Sequence, residues 1–316
     1  MTRAATSAPA VRLPVVALLV ASALWGTTGT AASFFPADVS PLAIGAVTMA
    51  VGGLLLFVVS LRRSVSVLRD GVARRWVLIG ALGVVTYPLA IYSAMDLAGV
   101  AIGNVVALGS GPVFAALIEW LVERHRPTRR WALSTLAAVL GIALLAVFGR
   151  QGGGIHPGGG QADVDDRPLL GAALGLLAGL AYALYTYASS RALAEGHGGR
   201  GVMGAMFGVG ALPLVVVLVF SGGPLLQSGR TIGIAAYLVI APMFLAYLLF
   251  GVGLRGVRSS AATTITLVEP LVATVLAVTV VGERLTPAGW LGLALILAGV
   301  TMMATARHPG PVALAP

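Results

Sequence analysis

One carboxylate stands where lipid makes charge expensive. The stretch "TTITLVEPLVATV" (263–275) is apolar except for its hydroxyls and Glu269, and Pro270 follows directly. Glu269 lies about ten residues from either end of an apolar run over 259–281. An ionised carboxylate at mid-bilayer costs at least ~2.5–3.5 kcal/mol on insertion scales, so it must be protonated, paired or hydrated. No arginine or lysine sits at similar depth in another run, so an ion pair across the bundle is not expected. A water-lined cavity or a neutral acid remains, and either suits a group that binds an ammonium or exchanges a proton. The plainer alternative is a neutral glutamate held by the Thr263 or Thr266 hydroxyl for structure alone. Proline removes one N–H and presses its ring on the carbonyl four residues back. Pro270 is therefore expected to free the C=O of Thr266, and Pro112 that of Leu108. Such backbone survives at membrane depth only inside protein or against a wet cavity.

Other polar and aromatic residues can complete a pocket there. Ser22, Trp25 and Thr28 recur every three residues and share a helix face. "AYALYTYASS" (181–190) groups Tyr182, Tyr185 and Ser189, while Tyr87, Tyr92 and Asn104 lie in neighbouring runs. Aromatic faces with a few hydroxyls suit small organic cations or amphipathic metabolites. Trp76, Trp120, Trp131 and Trp290 sit at run ends, where interfacial belts form; Trp25 and Tyr182 lie mid-run. Glu119, near Arg124 and Arg126, reads as an interfacial charge paired with arginine.

Catalysis and metal binding find little support. There is no cysteine, which removes disulfides, thiolate metal sites and cysteine nucleophiles. The four histidines fall between apolar runs or in the tail, and no run carries a Ser-His, paired-Asp or His-cluster arrangement. The Gly-rich string at 152–160 has no GK[ST] after it and is no phosphate loop. The chain is expected to be no enzyme and to hold no cofactor or metal.

The elements that must position these residues are membrane helices. Of 316 residues, 58% are hydrophobic and 10% charged, with mean hydropathy +0.97; ordinary soluble domains carry about 25% charged residues. Spans need about 20 apolar residues. Ten are expected, near 13–34, 41–61, 76–95, 99–121, 131–149, 169–191, 201–221, 231–253, 259–281 and 288–306. The first also resembles a signal peptide, with Arg3 and Arg12 ahead of "ASA", but it continues far enough to cross. Ser40-Pro41 and Thr286-Pro287 carry helix-entry chemistry. With the N-terminus inside, sixteen of the twenty arginines face inward, leaving Arg150, Arg167, Arg230 and Arg284 outside. This positive-inside bias puts both termini in the cytoplasm. The net charge of +9 has no basic face with interleaved aromatics, so anionic lipid headgroups rather than nucleic acid are the expected counter-charge. The Gly-rich, acidic-ended segment 150–168 reads as a flexible outside linker.

The two halves repeat. "LAGVAIGNVVALGSGPVFAALIEWLVERHRPTRRW" (97–131) overlays "LRGVRSSAATTITLVEPLVATVLAVTVVGERLTPAGW" (254–290) with gaps of one or two residues. Pro112 falls on Pro270, and Glu123-Arg124 on Glu283-Arg284. Five spans per half make the second copy inverted, an architecture of secondary transporters whose sites lie near the midplane. The expected fold class is therefore an all-α integral membrane protein with ten transmembrane helices in two inverted five-helix repeats. "PLVATVLAVTVVGERLTPAGWLGLALILAGV" (270–300), its weaker copy from Pro112, and "LWGTTGT" (24–30) resemble the EamA family of the drug/metabolite transporter superfamily, over nearly the whole chain. That resemblance implies export of amino acids or other small metabolites across a bacterial inner membrane, with repeats over 1–149 and 169–306 and a tail at 307–316. Glu123, Arg124, Glu283 and Arg284 match the family motif and read as structural residues closing hairpin turns. The first copy has Val122 where the second has Gly282, which puts the helix end there in question.

The expected binding set is Glu269, Thr266, Pro270, Pro112, Trp25, Thr28, Tyr92, Asn104, Tyr182 and Tyr185. The expected partners are a small-molecule substrate, the lipid bilayer and protons as a coupling ion. The competing classes are a sugar or nucleotide-conjugate facilitator, which wants cavity cations this chain lacks, and a non-transporting scaffold, which predicts that Trp25, Tyr182 and Glu269 tolerate alanine.

Overall fold

A computed structural model of the chain describes residues 12–98, 100–148, 168–282 and 284–306. The regular elements among them are helices. The first half holds α1 (Arg12–Ala32), α2 (Pro41–Val59), α3 (Leu61–Arg69), α4 (Gly71–Ala98), α5 (Val100–Glu123) and α6 (Arg129–Phe148). The second holds α7 (Pro168–Ala194), α8 (Gly199–Ser221), α9 (Gly229–Leu238), α10 (Ala246–Gly253), α11 (Ser259–Ile265), α12 (Val268–Leu276) and α13 (Pro287–Ala304). A π-helical stretch, Val239–Leu245, carries Pro242 and joins α9 to α10 into one span; another, Ala277–Val281, extends α12. Inserting one residue per turn lets backbone continue past a missing N–H.

Nine helical stretches among the described residues are long and apolar enough to cross a membrane. Ten spans are expected from the sequence. The remaining one, 131–149, corresponds to α6, which is helical but is not among the nine: it opens on Arg129-Arg130, and its far end adjoins residues outside those described. The linker at 150–168 and the tail likewise lie outside the described residues, Pro168 apart.

Local chemistry sets several helix starts. The Ser40 hydroxyl accepts from the Ala43 N–H at 3.2 Å, and the Thr286 hydroxyl from Gly289 at 3.1 Å, each with proline next. The arginine-rich segment after α2, which falls between the expected spans 41–61 and 76–95, forms α3. It buries Ser64 and Val67 and leaves Arg62, Arg63 and Arg69 exposed, as an amphipathic helix at an interface does.

Packing follows a pattern between halves. The main pairs are α4 with α7, α2 with α8, α6 with α13, α5 with α7, and α1 with α10 and α12. Exchanging each helix with its counterpart in the other half turns α4–α7 into α10–α1 and α5–α7 into α12–α1, and leaves α2–α8 and α6–α13 unchanged. The α6–α13 pair packs closely: a Cβ on Gly141 would lie 2.5 Å from the Gly292 carbonyl, and one on Gly292 would lie 2.7 Å from the Gly141 carbonyl. The largest core, around Met203, Phe207, Tyr247 and Phe250, draws on α1, α4, α7, α8 and α10.

Candidate functional site

The expected helix through Glu269 is broken. After α11, Thr266 and Leu267 take ψ near zero (−9° and 0°), and α12 starts at Val268 with Glu269 in its first turn. Pro270 supplies the cause, because an unbroken helix would drive its ring into the Thr266 carbonyl. That carbonyl is not freed, contrary to expectation: it accepts the Glu269 N–H at 3.0 Å, while Leu267 N–H turns back to Thr264 at 3.2 Å. A tighter turn satisfies the backbone that a plain proline kink would leave open. Pro112 behaves differently, lying buried inside α5, which runs unbroken past it. The two prolines match in sequence and not in backbone.

Glu269 has no side-chain hydrogen bond or ion pair among the described residues. The two hydroxyls expected to hold it are committed elsewhere. Thr263 donates to the carbonyls of Ser259 and Ser260, both at 3.0 Å, and Thr266 bonds the Thr263 carbonyl at 3.0 Å and the Tyr182 hydroxyl at 2.6 Å. The reading of a glutamate tied down by threonines therefore fails. Glu269 is nevertheless only half-buried, and it lies within electrostatic reach of Tyr87, Tyr182 and Tyr247 on α4, α7 and α10. Exposure combined with neighbours on three other helices means that the carboxylate faces the space between helices rather than the perimeter.

A packed aromatic cluster adjoins it. Tyr182 stands 5.3 Å from Tyr185 and 6.0 Å from Tyr87, centroid to centroid; Tyr247 stands 4.1 Å from Phe207 and 5.0 Å from Trp25. Trp25 also meets Phe250 at 5.3 Å. Tyr185 and Tyr247 join hydroxyls at 3.1 Å. Trp25 lies half-buried, yet its indole N–H is fully buried and has no acceptor among the described residues. α1 reaches this cluster because Gly26 lets it touch α12: a Cβ there would sit 2.7 Å from Val272 Cβ and 2.8 Å from the Glu269 carbonyl. The Tyr182 ring also lies against Gly111, where an added Cβ would come within 2.8 Å. Tyr182 thus touches the helix at Pro112 and the break before Pro270 at once.

The site as built brings together Glu269, Thr266, Pro270, Trp25, Tyr182 and Tyr185, with Gly111 next to Pro112. Thr28 is one turn beyond Trp25 and half-buried. Tyr92 packs on Gly45 of α2 and shares a small cluster with Tyr87, and Asn104 lies eight residues before Pro112, about 12 Å along α5. Phe207, Tyr247 and Phe250 were not anticipated; a tyrosine inside an otherwise apolar run was the one available signal for Tyr247. An open groove of about 340 Å³ between α4 and α8, lined by Leu78, Leu82, Val85 and Val209, is apolar and holds no group for chemistry.

A second polar assembly closes the arginine-rich end of the bundle. Glu119 does not pair with arginine, as its neighbours in sequence suggest. It is 3% exposed and accepts from Ser259 Oγ at 2.6 Å, Ser260 N–H at 2.9 Å and Ser260 Oγ at 2.7 Å, at the start of α11. Unsatisfied N–H groups and the helix dipole favour a carboxylate there. Glu123 accepts from Arg258 at 2.9 Å, Tyr187 at 3.1 Å and Arg191 at 3.5 Å, and the Arg191 guanidinium lies 5.5 Å over Trp76. Arg124 is no partner of Glu123. It is exposed and left-handed, with φ 57°, and ends α5, whereas Gly282, φ 82°, ends the matching helix of the second half. Lacking a glycine at 122, the first helix runs two residues further before stopping. Arg284 is exposed; Glu283 lies outside the described residues. At the same end, His197 meets Asp70 at 2.9 Å. That contact and the N–H groups of Ala73 and Val72 hold the Asp70 carboxyl below its usual range.

A model of the EamA-like transporter family matches residues 12–147 and 169–305. The chain is 32% identical over 293 residues, 92% of its length and 93% of the relative's, to "Uncharacterized transporter YwfM" of Bacillus subtilis. It is 26% identical over 190 residues, 59% of its length and 58% of the relative's, to an "Uncharacterized transporter" of Clostridium kluyveri. A crystal structure shares the fold at a TM-score of 0.70 and 22% identity, covering 92% of this chain and 97% of the other.

Proposed function

Because the chain belongs to the EamA-like transporter family, a family of multi-pass membrane transporters, we propose that it is a secondary active transporter that exports amino acids or other small metabolites and drugs across the bacterial inner membrane by alternating access. The observation that carries this reading is Glu269: a carboxylate at mid-span, half-exposed, beside an aromatic cluster and unpartnered among the described residues. A buried, unpaired charge is costly. Glu269 cannot stay both ionised and empty when the space between helices closes, and a substrate cation or a proton resolves the conflict. Outward substrate movement is thereby coupled to inward protons.

The exchange pattern of helix pairs supports two inverted halves, with α6 and α13 as the tenth-span pair that does not slide. The arginine bias supports cytoplasmic termini, so Glu119 and Glu123 tie the halves together on the cytoplasmic side. The repeats occupy 1–149 and 169–306, joined by an outside linker. No cavity cation is present among the described residues to bind the phosphates of a nucleotide conjugate, which disfavours the facilitator.

The test is flux in proteoliposomes with and without an imposed pH gradient. Wild type should move substrate faster when protons can run inward, and Glu269→Gln should abolish that dependence. Gradient-independent flux in wild type, together with normal flux in Glu269→Gln, refutes the coupling.

A further inference from the structure

Resting on the transport reading, we infer that the site selects by charge: its substrates are amphipathic amines carrying one positive charge and no carboxylate, and Trp25 favours those with a neutral hydrogen-bond acceptor. Within the proposed range of amino acids, small metabolites and drugs, this narrows the substrates to the latter two and leaves amino acids out.

Four observations lead there. First, the chemistry around the site is one carboxylate and a set of π-faces. Glu269 lies within electrostatic reach of Tyr87, Tyr182 and Tyr247, and Trp25, next to the Gly26 that packs on the Glu269 backbone, meets Tyr247 at 5.0 Å. Carboxylate and aromatic faces both favour a cation. Second, nothing described near the site can neutralise an anion. The chain has no lysine. Arg191 and Arg258 are committed to Glu123 at the far end of their helices, where Arg258 precedes Glu269 by eleven residues, about 16 Å of helix.

Third, the break in the helix has fewer free donors than a plain helix start, and a carboxylate stands beside those that remain. Discontinuous membrane helices commonly point free N–H groups at a substrate carboxylate. Here the first turn of α12 spends the Glu269 N–H on the Thr266 carbonyl, position 270 is proline with no N–H, and the Glu269 side chain already places negative charge at that helix start. The same proline that breaks the helix also removes one donor that an anion could use. Fourth, Trp25 Nε1–H is buried without an acceptor among the described residues. A single neutral donor can offset the desolvation of a carbonyl or hydroxyl oxygen. It cannot offset that of a carboxylate held close to Glu269.

Four probes sharing one benzyl group separate these contributions: phenethylamine, phenylalaninamide, phenylalanine and phenylacetate. Binding to the full chain in detergent or nanodiscs is read by calorimetry, and flux is read separately in proteoliposomes. Phenethylamine and phenylalaninamide should bind, with phenylalanine and phenylacetate weaker by about a hundredfold or more, since each tenfold needs only 1.4 kcal/mol. Trp25→Phe should erase the advantage of phenylalaninamide over phenethylamine, read as the ratio of the two affinities within the one variant. Glu269→Gln should weaken both amines towards the level of phenylalanine. Phenylalanine binding as well as phenylalaninamide overturns the inference, and so does no binding by any probe. Amines that bind selectively without flux uphold the charge rule and defeat the transport reading. Phenylalanine flux equal to amine flux does the reverse.

Discussion

Glu119 is the residue whose removal should most change which side of the protein is open. Its carboxylate, on α5, accepts three hydrogen bonds of 2.6–2.9 Å from Ser259 and Ser260 on α11. Each bond to a charged acceptor contributes about 1.5–3 kcal/mol net, but contributions within one network do not simply add. Breaking a buried charged assembly costs about 3–5 kcal/mol, which is the expectation for Glu119→Ala. Glu119→Gln keeps the shape: its oxygen can still accept from Ser259 Oγ and Ser260 N–H, while its amide nitrogen must donate to Ser260 Oγ in place of the third bond. With the charge assistance lost, about half, the cost is roughly 1.5–2.5 kcal/mol. If the arginine-rich end opens during the cycle and Glu119 is hydrated in the open form, that loss shifts the equilibrium roughly ten- to seventyfold towards opening.

The chain has no cysteine, so a single introduced thiol reports without background. Ala262, fully buried on α11 one turn beyond Ser259, is a suitable position. The rate at which an impermeant maleimide labels Ala262→Cys from the arginine-rich side should rise about tenfold or more with Glu119→Gln and further with Glu119→Ala. Sidedness of the vesicles tests the proposed orientation in the same experiment. Labelling that stays at the wild-type rate in both variants, while both keep a wild-type melting temperature, would show that Glu119 is not a latch.

Other perturbations have equally direct outcomes. Gly26→Val forces a Cβ to within 2.7 Å of Val272 and 2.8 Å of a backbone oxygen that cannot rotate away; overpacking of this kind costs about 1–3 kcal/mol. It should lower the melting temperature and amine binding together, and a variant unchanged in both contradicts the α1–α12 contact. The Asp70 carboxyl is held below its ordinary value of 3.8, chiefly by the His197 hydrogen bond. A depressed folded-state pKa contributes stability above the unfolded value, and that stability is lost as pH falls through the folded one. Asp70→Asn should therefore melt below wild type at pH 7, and the difference should vanish well below pH 3.8. A gap that persists in acid assigns the contact some role other than the carboxylate charge.

What could be read from the sequence was whatever local chemistry decides. Apolar runs became helices; Ser40 and Thr286 cap the helices their prolines begin. Glu269 stood out because a carboxylate in lipid is costly wherever it sits. What stayed hidden depends on distant partners. Glu119 looked bound to Arg124 and Arg126, yet its partners lie 140 and 141 residues away. Phe207, Tyr247 and Phe250 occur in helices that are apolar on all sides, where no periodicity marks the face that turns inward. α3 went unseen because its arginines fall between the expected spans, although Ser64 and Val67 recur at helical spacing. Pro270 announced a disturbance, but only tertiary structure shows it resolved by a turn at Thr266–Leu267 in place of a kink with an open carbonyl.

That resolution makes the two halves unequal where their sequences match best. α5 passes Pro112 unbroken and carries, on its far turns, the two carboxylates that hold α7 and α11. Its counterpart is cut into α11 and α12 just before its own carboxylate. A continuous helix transmits displacement along its whole length, whereas a break lets its two pieces move separately. α11 can then follow the latch at Glu119 while α12 keeps its contact with Gly26 on α1, and Glu269 sits at the joint between them. Tyr182, touching Gly111 and bonded to Thr266 at 2.6 Å, spans the joint and the rigid helix together. Opening at the arginine-rich end must therefore strain or break the Tyr182–Thr266 bond, and the same motion changes the space into which Glu269 faces.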